Sequence, residues 1–440
     1  MQFLFTKTPL TFLAASFWRD EAFSYLMAKQ PLMQLLWSTA KDANPPFYYL
    51  LLKVWMLFVG HSEIALRTLS LLFFWATIYV CFCIMKNVFR FSQKNSLVYL
   101  LLFVANPLLY YYAFEARMYS ILAFLATLSF YFLFTKQYKK YGIVALLSLY
   151  THYFLISVIG AQLFFSFFFF SKKEFKTYFS TLIKYLILFV PWILLLAAAH
   201  PPVGNSFWIE TPALKDVALL PAIIFTGYEK TAWLTYKPLP LVSVIVGLIV
   251  LFGIWFFFYN QRKHLSKERF FIALLLLVWG MGIPLCVFFF SFLKPIFLPR
   301  YLIFATVGLL LFMVLTIESM HVRMKYILFV ALLVVSVHYG EVQILFRTKA
   351  PVRKTFMEIK QMMTKNDVVY VLHEYDFHPA EYYINDSQVF IYNKSYEELP
   401  WFIGKVLIPK DKVTSLLPTY PRRAFIVEPD ATSYSIRSIY

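Results

Sequence analysis

The feature that most limits what this chain can fold into is the recurrence of long apolar blocks. Runs such as 63–85, 179–199 and 326–345 are each about 17–25 residues long, enough to cross the ~30 Å hydrocarbon core of a bilayer as helices. Helices satisfy their own backbone hydrogen bonds there, whereas a transmembrane barrel would show short segments of alternating polarity. The chain has 60% apolar and 15% charged residues among 440. A soluble domain has roughly 45–50% and ~25%, so most of this chain must be solvated by lipid.

The formal net charge of +18 raises the question of a nucleic-acid partner, and the placement of Lys and Arg answers it. They sit mostly in short loops between apolar blocks: Lys86, Arg90 and Lys94; Lys136, Lys139 and Lys140; Lys172, Lys173 and Lys176; Arg262, Lys263, Lys267 and Arg269; Arg323 and Lys325. That is the positive-inside pattern, which orients a membrane chain and implies no nucleic-acid partner. Cys81, Cys83 and Cys286 lie within apolar blocks, so neither a disulfide framework nor a zinc site is expected.

About eleven spans follow, near 1–17, 63–85, 96–113, 118–135, 142–152, 153–170, 179–199, 239–259, 270–292, 301–318 and 326–345, with the N-terminus inside and the C-terminus outside. The first block is short and carries Pro9. It reads as a stubby helix, as a helix whose start lies upstream, or as a signal peptide cleaved after the small residues Ala14-Ala15-Ser16. Residues 18–62 form one long external loop. Its stretch 46–60 is about 15 residues, too short for a comfortable span and amphipathic enough to lie in the interface. A second external loop covers about 200–238 and holds Pro201, Pro202, Trp208, Glu210, Asp216, Glu229 and Lys230. The apolar blocks show no internal repeat and no broken helix, the marks of a transporter.

From about Arg347 charges become frequent and apolar runs shrink to strand length. Residues 368–372, 389–392 and 424–427 read as strands and 353–364 and 379–385 as helices. The expected fold is therefore an all-α polytopic membrane domain, 1–345, with interfacial helices. A small extracytoplasmic α/β domain, 346–440, follows it and carries no catalytic motif.

Charges that hug a membrane interface are costly unless paired or functional. Five groups qualify: Asp20-Glu21; Asp42-Ala43-Asn44-Pro45-Pro46; Glu115-Ala116-Arg117-Met118-Tyr119; Thr151-His152-Tyr153; and Pro299-Arg300-Tyr301 with Lys294 nearby. Each has an ordinary reading taken singly. Acidic residues complement a helix N-terminus, prolines fix a turn, a Glu and an Arg pair locally, a His among aromatics anchors at the interface, and an Arg snorkels. The topology brings all five to the outer face. Carboxylates and cations at one water–lipid boundary suit a reaction on a lipid phosphate. A carboxylate takes the proton from an incoming hydroxyl while cations stabilise the departing phosphate. Crowded carboxylates raise one another's pKa, so the base needs a cation beside it, and Arg117 and Arg300 are the candidates.

The order of these motifs resembles the GT-C superfamily of membrane glycosyltransferases, in its protein O-mannosyltransferase and lipid A aminoarabinose-transferase branch. Ser16-Phe17-Trp18-Arg19-Asp20-Glu21 resembles the Asp-Glu of that family's first external loop, and Asp42-Ala43-Asn44-Pro45-Pro46 resembles its Asp-x-His-Pro-Pro, with Asn44 where His is common. The run 60–67, ending in Arg67, then Glu115 to Tyr119, His152 and Arg300-Tyr301 follow in the family's order. The match covers roughly residues 14–310.

The resemblance implies that Asp20 is the general base and that attack inverts the anomeric carbon, although the sequence does not decide between Asp20 and Glu21. Glu21, Asp42 and Glu115 would position acceptor, sugar or a cation. Arg117 and Arg300 would hold the carrier phosphate, and Asn44, Tyr119, His152 and Tyr301 would complete the substrate site. The donor would be a polyprenyl-phosphate-linked sugar and the acceptor a protein, lipid or glycan, with membrane lipids around the protein. A divalent cation is the one cofactor left open. The competing readings are a transporter or lipid flippase, and a non-catalytic assembly subunit.

Overall fold

The computed structural model describes residues 8–200, 208–229, 239–261, 266–347, 349–384 and 387–439. Pro201, Pro202, Lys230, Arg262, Lys263, residue 385 and residues 1–7 of the first expected span lie outside the described residues. The described part of that span, residues 8–17, holds the five-residue helix α1 (Leu10–Ala14), after which Ala15 is extended.

The region expected to be an external loop with surface helices is three helices: α2 (Arg19–Lys29), α3 (Leu32–Lys41) and α4 (Phe47–Val59). Proline precedes both α3 and α4, where its fixed φ opens a helix at little cost. Gly60, at φ +82°, ends α4 in a left-handed conformation that only glycine adopts without strain. Ser62 then caps α5 (Glu63–Cys83) by accepting from Ala65 N.

The expected single span 96–113 is instead two helices, α6 (Gln93–Val104) and α7 (Pro107–Ala113), bent by 72°. The expectation of no broken helix fails here for a local reason. Asn106 Oδ1 accepts from Leu108 N and Leu109 N at 3.1 Å each, and Pro107 removes a backbone donor at the same point. A new helix starts in the middle of an apolar run.

After these come α8 (Tyr119–Phe134), α9 (Tyr138–Thr151), α10 (Leu155–Phe169), α11 (Lys172–Ala199) and the short α12 (Leu220–Thr226). The bundle closes with α13 (Leu239–Phe256), α14 (Lys267–Phe290), α15 (Ile303–Glu318) and α16 (Val322–Phe346). Among the described residues, 5 helices are long and apolar enough to cross a membrane, or 6 if the bent pair is one span. The helices α8, α9 and α10 are shorter, at 16, 14 and 15 residues.

The span Pro299–Glu318, which contains α15, is apolar all round and 83% buried over its most apolar window, the mark of a central helix. It crosses α14 where Gly308 meets Gly280: a Cβ on Gly280 would lie 2.5 Å from Leu309 N, so only glycine permits this approach. Beside it Trp279 stacks on Phe130 of α8 at 3.9 Å. The opposite case is α11, 17% buried over its window, with Ile187, Leu188, Ile193 and Leu194 exposed. So much apolar surface is stable only in lipid. The chain is a multi-pass membrane protein.

The C-terminal domain has its own core, including Phe356, Val369, Phe377, Ile391 and Phe425. Its sheet runs β3-β2-β1-β4-β5. Strand β1 (Val368–Val371) lies parallel to β2 (Val389–Tyr392) and to β4 (Ala424–Val427), β3 (Val413–Thr414) is parallel to β2, and β5 (Tyr434–Arg437) is antiparallel to β4. The helices are α17 (Val352–Met362) and α18 (Phe377–Tyr383). The expected strands β1, β2 and β4 are present; β3 has two residues and β5 alternates polar and apolar on a partly exposed edge, too little apolar run to mark a strand.

This domain docks on the N-terminal loop region. Tyr383 OH accepts from Phe17 N at 2.9 Å and donates to Glu63 Oε1 at 2.7 Å, and Arg353 pairs with Glu63 at 2.7 Å.

Candidate active site

Helix α2 decides which acidic residue meets solvent. Consecutive residues on a helix point about 100° apart. Asp20 therefore borders a cavity of about 250 Å³, while its neighbour Glu21 turns into the protein and is 0% exposed.

Asp20 Oδ1 accepts from Arg19 Nε at 2.9 Å, and Oδ2 lies 4.0 Å from Arg117 Nη2. Arg117 Nη1 also donates to the Asp20 carbonyl at 3.2 Å and to Ser24 Oγ at 3.3 Å, which fixes the guanidinium over the start of α2. Burial opposes ionisation of Asp20, but Arg19, Arg117 and Arg300 overcome it and hold its carboxyl well below the usual carboxylate range. Asp20 is an anion at neutral pH.

Arg300 enters the same cavity from the turn that precedes α15, where Pro299 opens a 3-10 turn. Glu229 Oε2 steadies it at 3.7 Å, and the Trp208 ring lies 5.0 Å from its Cζ. Glu229 is itself held by Tyr112 OH at 3.2 Å and lies 4.0 Å from Arg347. The segment 208–229 thus supplies both a wall, through Trp208, and the counter-ion of Arg300, through Glu229.

Asp42 caps the C-terminal end of α3. Ala43 turns the chain at φ +54°, and the Asn44 amide donates to Asp42 Oδ2. Burial pushes the Asp42 carboxyl up to about 7, against the Asn44 hydrogen bond and Arg117 and with the help of the Asp20 charge. His152 lies in the turn between α9 and α10, where its ring accepts from Phe154 N at 3.2 Å. Burial, with Arg117, presses it down to about 3, so the imidazole is neutral. Its ring packs 5.3 Å from Tyr301, and Tyr301 lies 6.3 Å from Tyr119. Asp20, Asp42, Asn44, Arg117, Tyr119, His152, Arg300 and Tyr301 all line this one cavity.

Glu21 and Glu115 do not. Glu21 accepts from Arg67 Nε and Nη2 at 2.7 Å each, from Ala116 N at 2.9 Å and from Lys349 Nζ at 2.8 Å. Burial opposes its ionisation, yet Arg67 and Lys349 bring it down to about 2. Lys349 also lies 3.5 Å from Glu115, whose carboxyl burial raises despite that lysine. This buried cluster sits behind α2 and ties it to α5 and to the linker of the C-terminal domain. Glu21 has no lone pair left over for a substrate.

Sequence reasoning gave no role to Arg19, Arg67 or Lys349. It also missed the wall that the C-terminal domain contributes through Trp401, Phe402, Ile403 and Gly404. A charge inside the apolar block 63–85 is the signal that could have found Arg67; no local signal points to Lys349. Gly404 has φ +84°, and a Cβ there would lie 2.4 Å from Phe23 Cδ2 and 2.8 Å from His378 Nε2. Gly404→Ala is expected to loosen this wall at a cost of ~1–3 kcal/mol. The readout is a lower unfolding midpoint of the detergent-solubilised protein, with faster cleavage of the domain by added protease. Among the described residues no three His, Cys, Asp or Glu side chains are grouped to hold a metal ion.

No protein-family model and no curated protein sequence matches the chain. Solved structures do. The crystal structure of ArnT from Cupriavidus metallidurans in the apo state aligns at a TM-score of 0.61 and 12% identity, over 93% of this chain and 88% of that one. The structure of ArnT from the same organism bound to undecaprenyl phosphate aligns at 0.62 and 12% identity, over 96% and 92%. At this identity the likeness is one of architecture: the chain shares the fold of ArnT across nearly its whole length.

Proposed function

We propose that the chain is an integral membrane glycosyltransferase that moves a sugar from a polyprenyl-phosphate carrier to the hydroxyl of a protein, lipid or glycan. The observation that carries this reading is a single cavity, in an ArnT-like fold, bordered by an ionised Asp20 and by Arg117 and Arg300. The undecaprenyl phosphate bound by ArnT supports a lipid phosphate as the group those arginines take. The positive-inside placement of the basic loops supports a cavity on the extracytoplasmic face of about eleven spans, in a reading that takes 1–345 as the transferase domain and 346–440 as an external domain.

In this reading Asp20 withdraws the proton of the acceptor hydroxyl while the hydroxyl oxygen attacks the anomeric carbon. The carbon–oxygen bond to the phosphate breaks on the opposite face, so the configuration inverts. Arg117 and Arg300 take up the negative charge that gathers on the leaving phosphate. Neutral His152, Asn44 and the Tyr119–Tyr301 pair orient the sugar, and Trp208 closes the side. Glu21 and Glu115 act from behind, by fixing α2 through Lys349 and Arg67. The 72° break at Asn106, the feature a transporter reading would use, is sealed by its caps and by the hydrogen bond from Asn106 Nδ2 to Phe225 O at 2.8 Å.

Arg117→Gln and Arg300→Gln are each expected to weaken binding of polyprenyl phosphate by ~1.5–3 kcal/mol, the worth of a hydrogen bond to a charged group, or roughly 10–150-fold. Titration of the purified protein in nanodiscs with polyprenyl phosphate reads this directly. Unchanged affinity in both variants would remove the phosphate from this cavity.

A further inference from the structure

The proton taken from an acceptor hydroxyl has to leave Asp20 before the next turnover, and the same cavity is lined by a second carboxylate, Asp42, whose charge senses that of Asp20. We propose that Asp42 is the proton relay of this site: it takes from Asp20 the proton of the acceptor hydroxyl and passes it to water in the cavity. This role rests on the sugar-transfer reading above.

Both carboxylates border the same cavity, and their surroundings differ. Each Asp20 oxygen faces a guanidinium, Arg19 on one side and Arg117 on the other. Of the Asp42 oxygens, Oδ2 accepts from Asn44, and among the described residues no donor reaches Oδ1. The turn that presents it is set by backbone rather than by chance contact. Ala43 sits in the left-handed region, a conformation that is costly for a non-glycine residue and persists only where the surroundings impose it. Asn44 N bonds back to Thr39 O at 2.9 Å, and Pro45-Pro46 lead into α4.

The charged and titratable groups facing Asp42 come from three elements, Arg19 and Asp20 on α2, Tyr49 on α4 and Arg117 on the turn before α8, and the neutral Asn44 amide bonds it from its own turn. Burial outweighs the cations among them, and the Asp42 carboxyl holds a proton up to about pH 7. Asp20 releases one far below that. Two carboxylates whose environments push their affinities for a proton apart are the arrangement that divides acid–base labour.

The step balances. The acceptor oxygen forms its bond to the anomeric carbon, the bond from that carbon to the phosphate oxygen breaks, and its electron pair leaves with polyprenyl phosphate, which gains one negative charge. The hydroxyl proton passes to Asp20 and then to ionised Asp42, which becomes neutral until water takes the proton away. Asp42 must be ionised to receive it, so turnover rises with pH through about 7 and falls below it as the site stays protonated.

The test is the pH dependence of kcat for sugar transfer by the full-length protein in nanodiscs, as parent, Asp42→Asn and Asp42→Glu, with and without imidazole as a small exogenous base. The parent is expected to show a limb near pH 7. Asp42→Asn should turn over roughly 10–100-fold more slowly with that limb gone, bind polyprenyl phosphate as the parent does, and recover rate with imidazole. Asp42→Glu should keep a limb at a shifted pH. A limb near 7 that survives in Asp42→Asn, or an Asp42→Asn rate equal to that of the parent, overturns the relay and leaves sugar transfer standing. Failure of the parent to transfer sugar at any pH overturns the transfer reading, and the relay with it.

Discussion

Asp20→Asn is expected to slow sugar transfer by about 10²–10⁴-fold, the usual contribution of a positioned general base, while the protein folds and still binds its lipid carrier. The change keeps the shape of the side chain and removes its charge. Arg19 retains the face of Tyr375, 4.6 Å from its Cζ, and Arg117 retains Ser24 and the backbone carbonyl of residue 20. No cation is orphaned, so the unfolding midpoint should move little. Removing an anion from between Arg19, Arg117 and Arg300 also leaves more positive potential for a phosphate, so polyprenyl phosphate should bind the variant at least as tightly as the parent. Slow transfer with intact or tighter binding separates loss of a base from loss of the site. Weakened binding together with a lowered midpoint would instead assign Asp20 to holding the cavity together.

The largest effect on stability is expected at Arg67. It is fully buried, donates twice to Glu21, and also bonds the carbonyls of Leu13 at 2.8 Å, Ala15 at 2.6 Å and Ser16 at 3.2 Å. Arg67→Met keeps the apolar stem and deletes every one of these donors. Glu21 is left to Lys349 and one backbone amide, and the chain before α2 loses its support. Breaking one side of a buried pair costs ~3–5 kcal/mol because a charge is left uncompensated. Thermal unfolding in detergent should show a large drop in midpoint. A loss below ~1 kcal/mol, the scale of an exposed pair, would contradict the part assigned to this cluster.

The sequence displayed the multi-pass membrane character because lipid solvation is written into block length, a property that needs no tertiary information; of the eleven expected spans, 5 or 6 described helices are long and apolar enough to cross a membrane. The expectation that Asp20, Asp42, Arg117, His152 and Arg300 share one membrane face named residues that line one cavity in the folded chain, although a shared face alone does not bring side chains together. The sequence did not display which way each points. Asp20 and Glu21 are neighbours in sequence, and only the helical turn of α2 and the distant partners of Glu21 separate a cavity carboxylate from a buried one. Lys349 is 328 residues from Glu21, and a pairing at that separation leaves no local pattern. The bend between α6 and α7 was legible in Asn106-Pro107, a helix cap followed by a helix-opening proline, but the continuous apolar run around it reads as one span. The wall made by Trp401 to Gly404 comes from a domain whose own sequence carries no chemistry; it contributes through docking.

The proposal that this cavity transfers a sugar from a lipid phosphate is tested most directly by incubating the purified protein, in lipid bilayers, with a panel of radiolabelled polyprenyl-phosphate sugars and candidate acceptors, alongside Asp20→Asn. The account predicts that at least one donor is consumed with release of polyprenyl phosphate and labelling of an acceptor, and that the variant is slower by ~100-fold or more. Equal handling of every donor by parent and variant, with both folded and both binding the carrier, would contradict it.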